Sequence, residues 1–147
     1  MSRVLVEVEG PTEQGFVERI LAPVLSLRNV HVSARRIGKP GHKGGNKWGS
    51  ARRDILDILK QDAAVYCSTM FDYYGMPDDW PGRTASKLAD LDKRAEIVEE
   101  AVAADIKAAM GGSFDRRRFI PYVEMHEFEA MLFSDVLVLA NAVQRRR

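Results

Sequence analysis

Ala63-Ala64-Val65-Tyr66-Cys67-Ser68-Thr69-Met70-Phe71 carries no charge until Asp72 closes it, and this run decides how the chain folds. An uncharged segment of this length and composition reads as a central strand covered on both faces, as the strands of parallel sheets are. Ser50 to Lys60 precedes it as a helix with Ile55, Leu56 and Leu59 facing inward. Tyr73 to Gly82 follows as a turn-rich segment. Ser86 to Met110 then has the strongest helical pattern in the chain. Its inner stripe is Leu88, Leu91, Ala95, Val98, Val102, Ile106 and Met110, and Gly111-Gly112 stops it.

Three further strands read outward from this centre. Arg3 to Glu9 is apolar and β-branched and is broken by Gly10-Pro11. Thr12 reads as the N-cap of a helix whose apolar face is Phe16, Val17, Ile20, Leu21, Val24 and Leu25, with a kink or restart expected at Pro23. Val30 to Ile37 is the second strand, and Phe119 to Met125 the fourth, where Pro121 suggests an edge position. A helix from about Glu127 to Phe133 and an apolar run from Val136 to Val143 complete the chain. That run reads as either a partner surface or a core helix. Strands alternating with helices predict an α/β fold with a mainly parallel four-stranded sheet flanked by helices, in one domain spanning residues 1–147.

Composition bounds the function. The chain has 147 residues, enough to bury about two-thirds of its unfolded surface around one core. Hydrophobic residues make up 46% and charged residues 29%, which argues against a disordered chain. No stretch approaches the roughly 18 apolar residues of a membrane span. The N-terminus turns acidic too early for a signal peptide. The single cysteine, Cys67, allows neither an internal disulfide nor a cysteine zinc site. A cytoplasmic protein is expected. The net charge of +1 hides an asymmetry: Arg28 to Arg53 holds 8 Lys/Arg and no acid, leaving 14 Lys/Arg against 21 Asp/Glu elsewhere. A basic block inside an acidic protein points towards a polyanion, although solvated loops have the same composition.

Acids fall at strand ends. Glu9 closes the first strand, with Glu13 in the first turn of the next helix. Asp72 closes the third, and the fourth runs into Glu124-Met125-His126-Glu127-Phe128-Glu129. In a parallel sheet these ends share one rim, where ligands of open α/β sheets bind. Carboxylates packed there repel unless a cation joins them, and hard oxygen donors favour Mg²⁺ or Mn²⁺ over zinc. Each acid also has a structural explanation. Glu13 suits a helix N-terminus, Glu9 and Asp72 can cap turns, and His126 suits a helix start. Glu127 and Glu129 are two apart on a helix, so only one faces the site.

Val8-Glu9-Gly10-Pro11-Thr12-Glu13 resembles the opening motif of TOPRIM domains, shared by topoisomerases, primases and the OLD-type nucleases. Ser68-Thr69-Met70-Phe71-Asp72-Tyr73-Tyr74-Gly75-Met76-Pro77 and His126-Glu127-Phe128-Glu129-Ala130-Met131-Leu132-Phe133 are similar to segments of an uncharacterised bacterial family with a TOPRIM-like core, related to the OLD-type nucleases. The resemblance runs from Val4 to about Phe133. It implies a TOPRIM-like α/β domain that holds Mg²⁺ on strand-end acids for phosphodiester chemistry. Glu9 matches the motif glutamate, Glu13 the second acid of the OLD-type variant, and Asp72 the first aspartate of an Asp-x-Asp pair. The second aspartate position is Tyr74, a departure that puts a two-metal arrangement in doubt. Relatives extend past the His-Glu-Phe-Glu segment, so the domain is read as shortened at its C-terminal end.

The expected chemistry is metal-dependent cleavage of a nucleic acid, with Glu9 and Asp72 holding the principal ion. Glu13 and either Glu127 or Glu129 would hold a second ion or orient the attacking water. Lys43, Lys47, Arg52 and Arg53 flank a glycine-rich turn and a helix start and would grip phosphates. Trp48 and Tyr73 or Tyr74 are candidates for stacking on bases. The glycine-rich loop has neither a P-loop nor a dinucleotide fingerprint, and Ser68 and Cys67 lack the surroundings of nucleophiles. Two alternatives remain: a non-catalytic module docking onto an ATPase partner, and a phosphate-binding protein.

Overall fold

The computed structural model describes residues 1–38, 47–126, 130 and 135–144. Its centre is β1 (Ser2–Val8), which pairs in parallel with β2 (Val30–Arg36) on one side and β3 (Val65–Asp72) on the other. Alternation along β1 separates two cores. Val6 and Val8, with Val32 and Met70, pack against the first helical segment, whose Val17 is fully buried. On the other face, Leu5, Cys67 and Phe71 meet α3 (Trp48–Gln61) and α5 (Arg94–Met110). Helices thus cover both faces of a mainly parallel sheet, the expected class.

The outer lane beyond β3 is broken. β4 (Phe119–Ile120) and β5 (Val123–Glu124) both pair with β3 in parallel, in one continuous register. Pro121, which has no N–H to give, interrupts the ladder between them. Thr69 fills the gap: its hydroxyl donates to the Tyr122 carbonyl at 2.9 Å and accepts from the Tyr122 N–H at 2.8 Å. At the opposite end, the Arg118 guanidinium donates to the carbonyls of Leu59, Asp62 and Val65, fixing this lane to the α3–β3 turn.

Two helices depart from their expected patterns. The first runs as α1 (Pro11–Phe16), a π-helical turn over Val17–Leu21, and α2 (Ala22–Ser26). Pro23 cannot donate to the preceding turn, and the widened turn just before it absorbs the mismatch. The apolar face rotates with it: Phe16, Val17, Leu21 and Leu25 stay inward, whereas Ile20 and Val24 are exposed. The N-cap is Gly10, not Thr12.

The helix expected over Ser86–Met110 is two helices, α4 (Arg83–Lys87) and α5, separated by a 3₁₀ turn at Leu91–Lys93. Asp90 is extended, and the Arg94 side chain donates to the carbonyls of Ala89 and Lys87 that the break leaves open. Leu88 (91% exposed) and Leu91 therefore lie outside the core, while Val98, Val102 and Ile106 form the buried stripe as expected. Gly82, at φ +76°, lets α4 turn against α5; a Cβ there would sit 2.7 Å from the Ile97 carbonyl.

The apolar run forms α6 (Val136–Gln144), with Val136, Leu137 and Val138 exposed. The expected helix at 127–133 lies outside the described residues except for Ala130. Among the described residues, no helix is long and apolar enough to cross a membrane.

Candidate functional site

The strand order β2-β1-β3-β4 reverses direction between β1 and β3. After β1 the chain crosses to one side to make β2, then returns across β1 to make β3. The carboxyl ends of β1 and β3 therefore flank a switch point, where the two crossovers leave in opposite directions and a crevice opens. Val8 pairs with Met70 as the last pair of this ladder, so Glu9 and Asp72 emerge side by side at that crevice.

Their electrostatics agree with this placement. Burial pushes the Glu9 carboxyl up to about 7, and the nearby charges of Asp72 and Glu13 act in the same direction, against a smaller opposing effect from a backbone hydrogen bond at Asp72. The charges of Asp72, at the other strand end, and of Glu13, at the helix start, thus both act on Glu9.

The same acids also do local structural work. Asp72 accepts the Tyr74 N–H on Oδ1 and the Gly75 N–H on Oδ2, each at 3.1 Å. Glu13 Oε2 accepts the Gly10 N–H at 3.1 Å. Both glycines allow this close approach, since a Cβ would stand 3.1 Å from Glu13 Oε2 at Gly10 and 3.2 Å from Asp72 Oδ2 at Gly75. Each carboxylate oxygen keeps a second lone pair after one such bond, so the turns do not exhaust the donor set. Among the described residues, no group of three or more His, Cys, Asp or Glu side chains is arranged to hold a metal ion. Glu127 and Glu129 lie outside the described residues.

Glu124 extends the row. It stands in register beside Asp72, and its carbonyl accepts the Tyr73 N–H at 2.8 Å. Its carboxylate accepts the Tyr122 hydroxyl at 2.8 Å. The sequence points to Glu127 and Glu129 instead; the register of β5 beside β3, which sets Glu124 against Asp72, is given only by the structure.

Of the expected phosphate grip, Lys43 lies outside the described residues, and Lys47 is exposed at the N-cap of α3. Arg53 is exposed beside it. Arg52 is drawn into an ion pair with Asp105, Nε to Oδ2 at 2.6 Å. The start of α3 already holds an acid, because Asp79 Oδ2 accepts the Trp48 N–H at 3.1 Å. Trp48 and Tyr73 are buried, in contact with Trp80 and Arg83 respectively, and cannot stack on a base; Tyr74 is exposed.

One buried charge had no counterpart in the sequence reading. Glu7 is fully buried in β1, and Arg35, its partner in the β1–β2 register, donates to Oε1 at 2.9 Å. Oε2 is buried without a partner. Burial pushes Glu7 up to about 7, and Arg35 only partly offsets it. Arg35 also donates to the Asp54 carbonyl, and Asp54 accepts the Gly38 N–H, so the pair secures the exit of β2 towards the basic segment.

A family model matches residues 8–147, and the chain belongs to that family, described as a domain of unknown function (DUF4276). No curated protein and no solved structure matches the chain.

Proposed function

We propose that the protein is a cytoplasmic Mg²⁺- or Mn²⁺-dependent phosphodiesterase acting on nucleic acid, with its centre at Glu9 and Asp72. The observation that supports this is the placement of Glu9 and Asp72 at the carboxyl ends of adjacent parallel strands flanking the β1–β3 switch point, where burial and the charges of Asp72 and Glu13 raise the Glu9 carboxyl to about 7. Carboxylates crowded in this way favour a cation, and an all-oxygen donor set suits a hard divalent one. Glu9 and Asp72 would hold it, with Glu13 beside them. When bound, such an ion neutralises charge on the phosphodiester and acidifies water. The resemblance to TOPRIM domains supports the same reading.

The chain's own residues then divide the work. The Tyr74 and Gly75 amides fix the Asp72 carboxylate in one orientation. The Gly10 amide does the same for Glu13. Lys47 and Arg53 remain for the phosphate backbone, whereas Arg52 is engaged with Asp105.

The test is cleavage of plasmid and single-stranded DNA with Mg²⁺ or Mn²⁺. The wild type cleaves, and Glu9→Ala and Asp72→Ala proteins lose at least a hundredfold in rate; cleavage unchanged in both variants refutes the proposal. The occupation of Asp72 and Glu13 by backbone amides, with Tyr74 at the second acid position, favours a second reading: a non-catalytic module docking onto an ATPase. Nucleic-acid binding with no calorimetric Mg²⁺ affinity selects that reading.

A further inference from the structure

We propose that the free edge of β2 is a docking site for an extended acidic segment of another protein, which adds to the sheet as a further strand. Hydrogen-bond parity defines that edge. The Ile37 N–H donates to the Val8 carbonyl, and the Ser2 N–H donates to the Asn29 carbonyl, each at 3.1 Å. The odd-numbered residues of this lane therefore turn their backbone groups towards β1, in an unbroken parallel register. Val30, Val32, Ala34 and Arg36 turn their N–H and C=O groups the other way, and among the described residues no strand pairs with them. Sheet edges are commonly blunted by a proline or a bulge, and β2 has neither. Its guard is positive charge, which turns away a second copy of β2 and admits an acidic strand.

The chemistry of the occupant follows from what surrounds the edge. Residues 19–38 hold four arginines and His31 but no acid. Among the described residues only Arg35 of these has an ion-pair partner, Glu7, whereas Arg19, Arg28 and Arg36 are exposed without one. Arg28 and Arg36 stand at the two ends of the edge. On the face where Val30, Val32 and Ala34 enter the core, the covering helix carries a second apolar stripe. Ile20, Val24 and Leu27 form it, at 55%, 58% and 86% exposure, and their spacing keeps them on one side of the helix. Alternate side chains of an added strand fall on that face and extend the core beside the stripe, while acidic ones between or beyond them answer the arginines. A second β2 laid antiparallel would bring arginines and histidines together with no acid between them. A phosphate backbone has no N–H groups to give the outward carbonyls. An acidic peptide meets the amides, the carbonyls and the arginines together.

The experiment is fluorescence anisotropy with a labelled peptide of about eight residues alternating valine and glutamate, and its valine–lysine counterpart. The glutamate peptide should bind saturably, and the lysine peptide at least about tenfold more weakly. Ala34→Pro removes one outward N–H and no bond to β1, and Arg36→Glu reverses one charge; each should weaken binding about tenfold. An N-methylated glutamate peptide has no backbone donors and should not bind, which tests the edge even if Ala34→Pro disturbs folding. No binding of the glutamate peptide, equal binding of both peptides, or full binding of the N-methylated one overturns the proposal. So does a dimer in sedimentation velocity that Ala34→Pro or Arg36→Glu dissociates, since a second copy would then cover this edge.

Discussion

At Glu9, burial and two like charges act together, and at Glu7 burial outweighs a guanidinium partner; both carboxyls are raised from an ordinary 4.5 to about 7. Between those two values the native state holds protons that the unfolded chain has released, so stability falls as pH rises through that window. Asp62, Asp78 and Asp115, held below the usual carboxylate range by hydrogen bonds and cationic neighbours, are already ionised there and do not reverse the sign. Thermal unfolding should therefore show lower stability at pH 7.5 than at pH 5. Glu9→Gln should remove on the order of 1 kcal/mol of that difference, after allowance for solvent screening. A flat or rising profile contradicts this account. Removing Arg35 tests the other carboxyl. Arg35→Ala leaves Glu7 buried and unpaired and should cost about 2 kcal/mol in urea unfolding at pH 8, less than a fully enclosed pair because Arg35 is partly solvated. Glu7→Gln, which keeps the volume and removes the charge, should cost less.

Among the elements, the interrupted outer lane depends most on a single side chain. Thr69→Val keeps the shape of Thr69 and removes both hydrogen bonds to Tyr122. It should cost about 1–3 kcal/mol in chemical denaturation, and Thr69→Ser should stay close to the wild type. Gly82→Ala should cost about 2 kcal/mol or more, because the new Cβ meets the Ile97 carbonyl and the residue sits at positive φ. These two positions also show where sequence reading reached its limit. The central strand ending at Asp72, the β1 strand and the Val98, Val102 and Ile106 stripe were legible because apolar periodicity reports burial directly. The break before α5 was not. Leu88 and Leu91 continue the helical spacing of that stripe, and only the fold-back of α4 onto α5 through Gly82 takes them out of the core. The outward rotation of Ile20 and Val24 likewise follows from a π-turn that periodicity at 3.6 residues cannot represent.

For the whole molecule, the switch point between β1 and β3 was legible in part. Acids at strand ends and a parallel sheet were enough to expect Glu9 and Asp72 on one rim, and their adjacency follows from the order β2-β1-β3. Glu124 was missed because residues 119–125 were read as one strand without a register to β3, and the register is what sets Glu124 against Asp72. Glu7 was missed because a single acid in an apolar strand gives no sign of its partner, which lies 28 residues away in β2. Of the expected phosphate grip, Arg52 is paired with Asp105, and Asp79 accepts the first amide of α3, contacts between residues far apart in the chain that its spacing does not report. What distinguishes a metal centre from a set of turn caps at this rim is whether the carboxylates bind a cation. Calorimetric titration of Mn²⁺ into the wild type, Glu9→Gln and Asp72→Asn at pH 7.5 tests that directly. The account predicts saturable binding by the wild type and at least a tenfold loss of affinity in each variant; no binding by the wild type, or equal binding by all three, would contradict it.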